Sequence, residues 1–170
     1  MNINDINQMT DDIFIECFKN IFEKTPLIAK LSLAKKPFKS KKFLINIFIN
    51  EFENLDHISK KKIIKNHPDL GNKIKVMDNL TNLSKNEQKN AGLNMCTEEE
   101  YSLFSKMNNE FKLKFDIPFI FAVKGSNKEI IIEEFKKRLI NDDINKEINE
   151  SIKQVKKIAY FRLEEIVDEK

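Results

Sequence analysis

The residues best suited to acid–base chemistry lie between His67 and Leu93, where the chain reads HPDLGNKI, then a spacer, then LSKNEQKNAGL. Ser84, Glu87 and Gln88 follow His67, one of the chain's 2 histidines, by about five helical turns. An imidazole has an ordinary pKa of about 6.5, so it exchanges protons near neutral pH. A carboxylate can orient it, and hydroxyl and amide groups can hold a polar substrate. The residues alone therefore indicate a candidate site with His67 as general acid/base.

Each of these groups also has a structural interpretation. The pattern Ser-x-x-Glu is a helix capping box, in which Ser84 accepts a hydrogen bond from a main-chain amide and Glu87 reaches back. The residue before a proline avoids the helical region, so His67–Pro68 could simply mark a helix end at Asn66 or His67. Spacing alone favours capping for Ser84 and Glu87, and both interpretations stay open at this point.

The other candidate ligands and nucleophiles are isolated. His57 has no cluster around it and is expected to be a surface or capping histidine. Two cysteines are too few for a disulfide framework, and Cys17 lies on an apolar helical face where a small buried residue is expected. The histidines and acidic residues lack metal-ligand spacing, and there is no glycine-rich phosphate loop. The sequence therefore predicts neither a metal site nor a cofactor site.

Composition indicates a helical protein with a solvated surface. The chain has 170 residues, 41% of them hydrophobic and 34% charged, with only 3 glycines and 4 prolines. The 30 basic residues are balanced by 27 acidic ones, which is not typical of a nucleic-acid-binding surface. The chain shows no signal-peptide pattern and no apolar run that could span a membrane, so we expect a cytoplasmic protein with no membrane partner.

Apolar residues recur at three- and four-residue spacing along most of the chain. This spacing predicts an all-α fold, a single domain over 1–170 with about seven to nine helices. Among the predicted helices are 10–22, one that begins at Pro26, one over Phe43–Phe52, 56–66 with Ile58 inside, 98–115, 127–140 and 143–168.

The apolar run Pro118–Val123 ends at Gly125 and could be a buried strand or an extended connector. No other segment reads as a good strand to pair with it, so we predict a buried connector near 117–124. Its main-chain amides and carbonyls would then be free to meet a ligand. Asn108 lies on the apolar stripe of the helix before it and should find a hydrogen-bond partner.

The last helix carries a charged residue on its apolar face. A step of about 100° per residue places Arg162 in the middle of that face. The other residues of the face are Ile144, Ile148, Ile152, Val155, Ala159 and Ile166. A buried arginine is costly unless it is paired. It could bind a structural carboxylate, or it could bind an anionic ligand with its guanidinium fork, and the residues leave both alternatives open.

Four motifs together, HPDLG, LSxxEQxxAGL, PFIFAVKG and KIAYFRLEEIV, resemble those of the OHCU decarboxylases. OHCU is 2-oxo-4-hydroxy-4-carboxy-5-ureidoimidazoline, an intermediate of urate breakdown. The resemblance extends from the FEKTPLIAK segment to Val167. It implies a cofactor-independent carboxy-lyase that forms (S)-allantoin and CO2, acts on a small-molecule substrate and assembles as a homodimer.

The resemblance also implies roles for individual residues. His67 would be the general acid/base, Glu87 would orient the substrate hydroxyl or the imidazole, and Arg162 would hold anionic or carbonyl oxygens of the substrate. Substrate-binding residues would be Pro68, Ser84, Gln88, Phe119, Ile120, Phe121, Ala122 and Val123, the last five largely through main-chain atoms.

Two positions depart from the family pattern, which usually has tyrosine at Phe111 and glycine at Asp116. The alternative to an enzyme is a helical interaction module or a weak nucleic-acid binder, in which His67 and Ser84–Gln88 would only cap helices.

Overall fold

The computed structural model describes residues 1–72 and 80–169, and all regular secondary structure in these ranges is helical. The described residues form nine α-helices and one 3-10 turn. The α-helices are α1 Ile3–Gln8, α2 Asp11–Phe18, α3 Pro26–Leu33, α4 Lys41–Glu53, α5 His57–Lys65, α6 Asn82–Asn90, α7 Glu98–Phe115, α8 Lys128–Ile140 and α9 Ile144–Ile166, and the 3-10 turn is Leu93–Met95. The all-α prediction is confirmed. Lys73 and Ile74, the end of the first motif, lie outside the described residues.

Local sequence signals account for where the helices begin. The Thr10 side chain accepts a hydrogen bond from the Ile13 amide at the start of α2, and Pro26 occupies the first turn of α3. The Asp56 side chain caps α5 in the same way, which leaves His57 as an exposed first helical residue. The expectation of a surface histidine at this position is confirmed. None of the helices in the described ranges is long and apolar enough to cross a membrane.

The chain divides into two compact units, and the first comprises Met1–Asn66 with Lys156–Lys170. Buried phenylalanines fill its core, and their rings pack in tilted and stacked pairs. Phe14 lies 4.7 Å from Phe18, and Phe22 lies 4.9 Å from Phe52, between ring centroids. Such contacts add to the burial of large apolar side chains, the main stabilising contribution in a small helical unit.

The second unit comprises His67–Val155 and contains α6, α7, α8 and the first turns of α9. Phe111 is the centre of its core. Its ring lies 4.7 Å from that of Phe115, 5.4 Å from that of Phe119 and 5.7 Å from that of Phe135. The Arg138 guanidinium also lies 5.7 Å from the Phe111 ring centroid. The phenylalanine at position 111, where the resemblance leads us to expect tyrosine, therefore belongs to an aromatic cluster beside a buried cation.

Three burial predictions are wrong. Cys17 is exposed rather than in the core, and Ile58 is 84% exposed. On α9, Ile144 is exposed and the buried stripe includes polar residues. Its members are Glu147, Ser151, Val155, Ile158, Ala159, Arg162 and Leu163. Arg162 is buried on this face as predicted, whereas Glu147 and Ser151 were not included in it. Ion pairs allow glutamate and arginine to occupy core positions.

The segment between α7 and α8 has no regular secondary structure over 118–123. Phe119, Ile120, Ala122 and Val123 are buried, and Phe121 is half-buried. The prediction of a buried connector, rather than a paired strand, is therefore confirmed.

Candidate active site

His67 opens the second unit, two residues after α5 ends at Lys65. Its side chain is buried, and Pro68 is half-buried beside it in sequence. The segment from His67 to Asn72, here called the histidine loop, has no helix of its own. Its position must therefore come from bonds made by neighbouring elements.

Side chains from α6 and α7 hold the histidine loop by its main chain. The Gly71 amide donates to Gln88 Oε1 over 3.2 Å, and Gln88 Nε2 donates to the Asp69 carbonyl over 3.2 Å. From α7, Asn108 Nδ2 donates to the Leu70 carbonyl over 2.9 Å. Three consecutive residues are thus fixed directly after His67–Pro68. The expectation that Asn108 finds a partner is confirmed, and the structure assigns Gln88 a role in holding the loop that sequence reasoning had missed.

A glycine is required at the centre of this arrangement. Gly71 has φ of +69°, a left-handed conformation, and a Cβ placed on it would lie 2.4 Å from Phe104 Cγ. The close approach of the loop to α7 therefore depends on the absence of a side chain at this position. Lys112 of α7 adds an ion pair of 2.7 Å with Asp69 Oδ2.

The start of α6 decides between the two interpretations of Ser84. The cap of α6 is Thr81, whose hydroxyl accepts from the Ser84 amide over 3.3 Å. Ser84 is therefore the third helical residue, and the capping-box interpretation with Ser84 as cap is wrong. Ser84 and Gln88 are buried one turn apart on one face of α6, and Glu87 is half-buried. This face carries the polar groups that the sequence indicated, and Gln88 bonds directly to the histidine loop.

The connector is held by residues that the sequence analysis missed. Arg138 of α8 donates to the Ile120 carbonyl over 2.6 Å, and Gln154 Oε1 accepts from the Ala122 amide over 3.0 Å. The expectation that connector main-chain groups are free for a ligand is therefore wrong for these two groups. Arg138 falls three residues after Phe135 on the buried stripe of α8, and this polar residue on an apolar stripe was the available signal.

Arg162 lies in the first unit, where it pairs with a buried carboxylate. The side chains of Arg162 and Glu23 are 2% and 0% exposed, and Nη1 lies 3.0 Å from Glu23 Oε2. Nη1 also donates to the Asn20 carbonyl over 2.8 Å. Of the two alternatives for this arginine, the structural carboxylate is present. An additional contact of Arg162 with substrate stays a prediction.

The turn after α7 accommodates Asp116 at a position where the resemblance leads us to expect glycine. Asp116 has φ of 57° and ψ of 28°, the left-handed conformation of a helix C-terminal cap. Glycine adopts this conformation without steric cost, and aspartate is one of the few other residues that visit it. The turn therefore keeps the geometry that a glycine would give.

Comparison with known proteins places these motifs in a family. The OHCU decarboxylase family profile matches residues 7–164. The chain is 34% identical over 163 residues to the 2-oxo-4-hydroxy-4-carboxy-5-ureidoimidazoline decarboxylase of Xenopus laevis, covering 96% of this chain and 93% of that protein. It is also 34% identical over 169 residues to the uric acid degradation bifunctional protein of Bacillus sp. (strain TB-90), covering 99% of this chain but only 33% of that protein.

Two solved structures share the fold at low sequence identity. The crystal structure of (S)-allantoin synthase matches with a TM-score of 0.78 at 17% identity, covering 99% of this chain and 54% of that one. The structure of OHCU decarboxylase in the presence of (S)-allantoin matches with a TM-score of 0.70 at 18% identity, covering 93% and 98%. On the family match and the full-length relative, this chain belongs to the OHCU decarboxylase family.

Proposed function

We propose that this protein is a cofactor-independent decarboxylase that converts OHCU to (S)-allantoin and CO2 in urate breakdown. Membership of the family supports the reaction. The observation that carries it to this chain is the buried His67 on a loop whose main chain is held at Asp69, Leu70 and Gly71. A general acid/base must be held in place to act on a bound substrate, and these bonds fix the main chain directly after His67–Pro68.

The substrate explains why no cofactor is proposed. Its carboxylate is attached to a carbon next to a C=N bond, so the electron pair released as CO2 leaves can move into the imine, as in a β-keto acid. The reaction then requires removal of the proton of the 4-hydroxyl and addition of two protons, one to the former imine nitrogen and one to the neighbouring ring carbon, so that one net proton is taken up from solvent when the carboxylate is the substrate. The substrate supplies its own electron sink, and the protein has to supply orientation and proton transfer.

We assign proton transfer to His67, with Glu87 orienting the hydroxyl or the imidazole. Ser84 and Gln88 would bind the ureido or ring amide groups, and Pro68 would pack against the ring. A glutamine amide has two N–H donors and an oxygen that accepts two bonds. The histidine loop uses one donor and one acceptor of Gln88, so this amide retains capacity for a ligand.

Further parts of the proposal concern the whole chain. Residues 1–170 would act as one decarboxylase domain, with Arg162 contacting the substrate in addition to Glu23. A homodimer and a cytoplasmic location remain predictions. Sedimentation velocity on the purified protein tests the first of these, because a monomer at the concentrations of the activity assay would contradict it.

The test compares the two histidines. OHCU is generated in situ from urate, and its decay is followed with His67→Ala and with the exposed matched control His57→Ala. We expect His67→Ala to lower turnover by roughly 10²-fold or more, as for loss of a general acid/base, while His57→Ala keeps the wild-type rate. Far-ultraviolet circular dichroism verifies that both variants are folded. A wild-type rate in folded His67→Ala would remove the assignment.

A further inference from the structure

Arg138 is a buried cation that the proposed reaction has not so far used. It is 6% exposed at its side chain and pairs with Glu147, which is 1% exposed. Its Nε lies 3.2 Å from each Glu147 carboxylate oxygen, Nη2 also bonds to that carboxylate, and Nη2 donates to Ser151 Oγ over 3.3 Å. The remaining nitrogen, Nη1, donates to the Ile120 carbonyl over 2.6 Å. Its guanidinium thus joins α8, α9 and the connector.

Three residues of the connector contact side chains of α8 and α9. The Arg138 guanidinium lies 4.6 Å from the centroid of the Phe119 ring, within the range of a cation–π contact. The next residue is held by its carbonyl, as described above. Two residues on, the Ala122 amide bonds to Gln154, whose Nε2 donates to Glu150 Oε1 over 2.9 Å.

These contacts fix the direction of the main-chain groups. The rings of Phe119 and Phe121 stack with 6.2 Å between centroids and 12° between planes, as expected for residues two apart on one face of an extended chain. In an extended chain the N–H and C=O groups of one residue point the same way, and those of the next residue point the opposite way. Since Ile120 and Ala122 turn their main chain toward Arg138 and Gln154, Phe121 turns its main chain to the other side.

We propose that Arg138 is a positioning residue for substrate binding, acting through the Ile120 carbonyl so that the Phe121 main-chain N–H and C=O face the polar substrate. This inference rests on the proposed function, in which the connector contributes to the substrate site. An N–H and C=O pair side by side matches the amide edge of a ureido or ring lactam group. Arginine suits the role because its planar fork bonds to a carbonyl, a carboxylate and a hydroxyl at once, which a lysine ammonium does not reproduce.

The test removes the hydrogen bond from Arg138 to the Ile120 carbonyl without leaving an unpaired buried charge. Removal of Arg138 alone would strand the Glu147 carboxylate, so the informative variant is Arg138→Met with Glu147→Met, since well-packed apolar side chains often replace a buried ion pair without loss of stability. Lys137→Met, an exposed position beside Arg138 whose ammonium lies 3.2 Å from Glu134, is the matched control. Thermal unfolding establishes that each variant is folded.

Two readouts separate positioning from general structure. We expect the double variant to raise KM for OHCU by roughly tenfold or more, with a smaller change in kcat and an unchanged pH profile, because binding geometry is lost and the proton-transfer group is not. We also expect faster amide hydrogen exchange in a peptide covering 117–125, with α7 unchanged. Lys137→Met should match the wild type in both measurements.

A folded double variant with wild-type KM and wild-type exchange over 117–125 would overturn the proposal. Faster exchange with unchanged KM would also overturn it, because the connector would then not set substrate binding. If the wild-type chain itself consumed no OHCU, the proposed function would fall, and the exchange measurement would still decide whether Arg138 fixes the connector.

Discussion

Gly71→Ala tests whether the histidine loop is held by close contact with α7. The structure indicates two separate costs for this substitution. The left-handed φ of +69° disfavours any residue with a Cβ, by about 1 kcal/mol. The new Cβ would also lie 2.4 Å from Phe104 Cγ, and overpacking of this kind costs about 1–3 kcal/mol. The lower entropy of the unfolded alanine chain offsets roughly 0.4–1 kcal/mol. We therefore expect a loss of about 1–3.5 kcal/mol in the free energy of unfolding.

Gly125→Ala is the matched control, because it has the conformational cost of a left-handed φ without a steric clash of the new Cβ. Gly125 has φ of +76°, and a Cβ there would meet nothing within 4 Å. Urea denaturation followed by circular dichroism should show Gly71→Ala less stable than Gly125→Ala by about 1–3 kcal/mol. Phe104→Ala in the Gly71→Ala background should recover part of this difference relative to the sum of the single changes. Equal stability of the two alanine variants would refute the packing of the loop described above.

Three other expectations follow from single contacts. Asp116→Gly should have a free energy of unfolding about 1 kcal/mol higher than Asp116→Ala in urea denaturation, since only glycine adopts the left-handed φ of 57° freely. The Lys128 ammonium and the Thr97 amide hold the pKa of Glu100 below its ordinary 4.5. The stability that this carboxylate contributes is therefore present above pH 4.5 and is lost as the pH falls through the lowered pKa of the folded state. Glu100→Gln should make the urea midpoint less sensitive to acid. Arg162→Met should lower the free energy of unfolding by about 3–5 kcal/mol, because it leaves the buried Glu23 carboxylate unpaired, and adding Glu23→Met should restore folding. If the double variant then kept full turnover, the proposed substrate role of Arg162 would be wrong.

The helices could be predicted from the sequence because their signals are local. Thr10, Pro26 and the Thr97–Glu100 capping box each act within one turn of the helix that they begin. Helical spacing placed Arg162 on the buried face of α9 but did not indicate Glu147 there. Glu147 and Arg162 occupy core positions only because Arg138 and Glu23, distant in sequence, neutralise them.

In the candidate site too, the sequence indicated the functional residue types but not the tertiary contacts that position them. Residue types identified His67, Ser84, Glu87 and Gln88 as groups suited to acid–base chemistry. The bonds from Gln88 and Asn108 to the loop main chain depend on tertiary structure, and no sequence spacing indicates them. The capping interpretation of Ser84 was favoured by spacing and failed because Thr81, three residues earlier, also has a capping side chain and begins the helix there.

The reaction assignment is tested most directly by the stereochemistry of the product. Urate is oxidised in situ to the labile intermediate, the protein is added, and circular dichroism follows the appearance of optically active allantoin. We predict a rapid signal of the (S) enantiomer with the wild-type protein and with His57→Ala, and only slow formation of racemic allantoin with His67→Ala. A folded wild-type protein that yields racemic allantoin at the uncatalysed rate would contradict the proposed function.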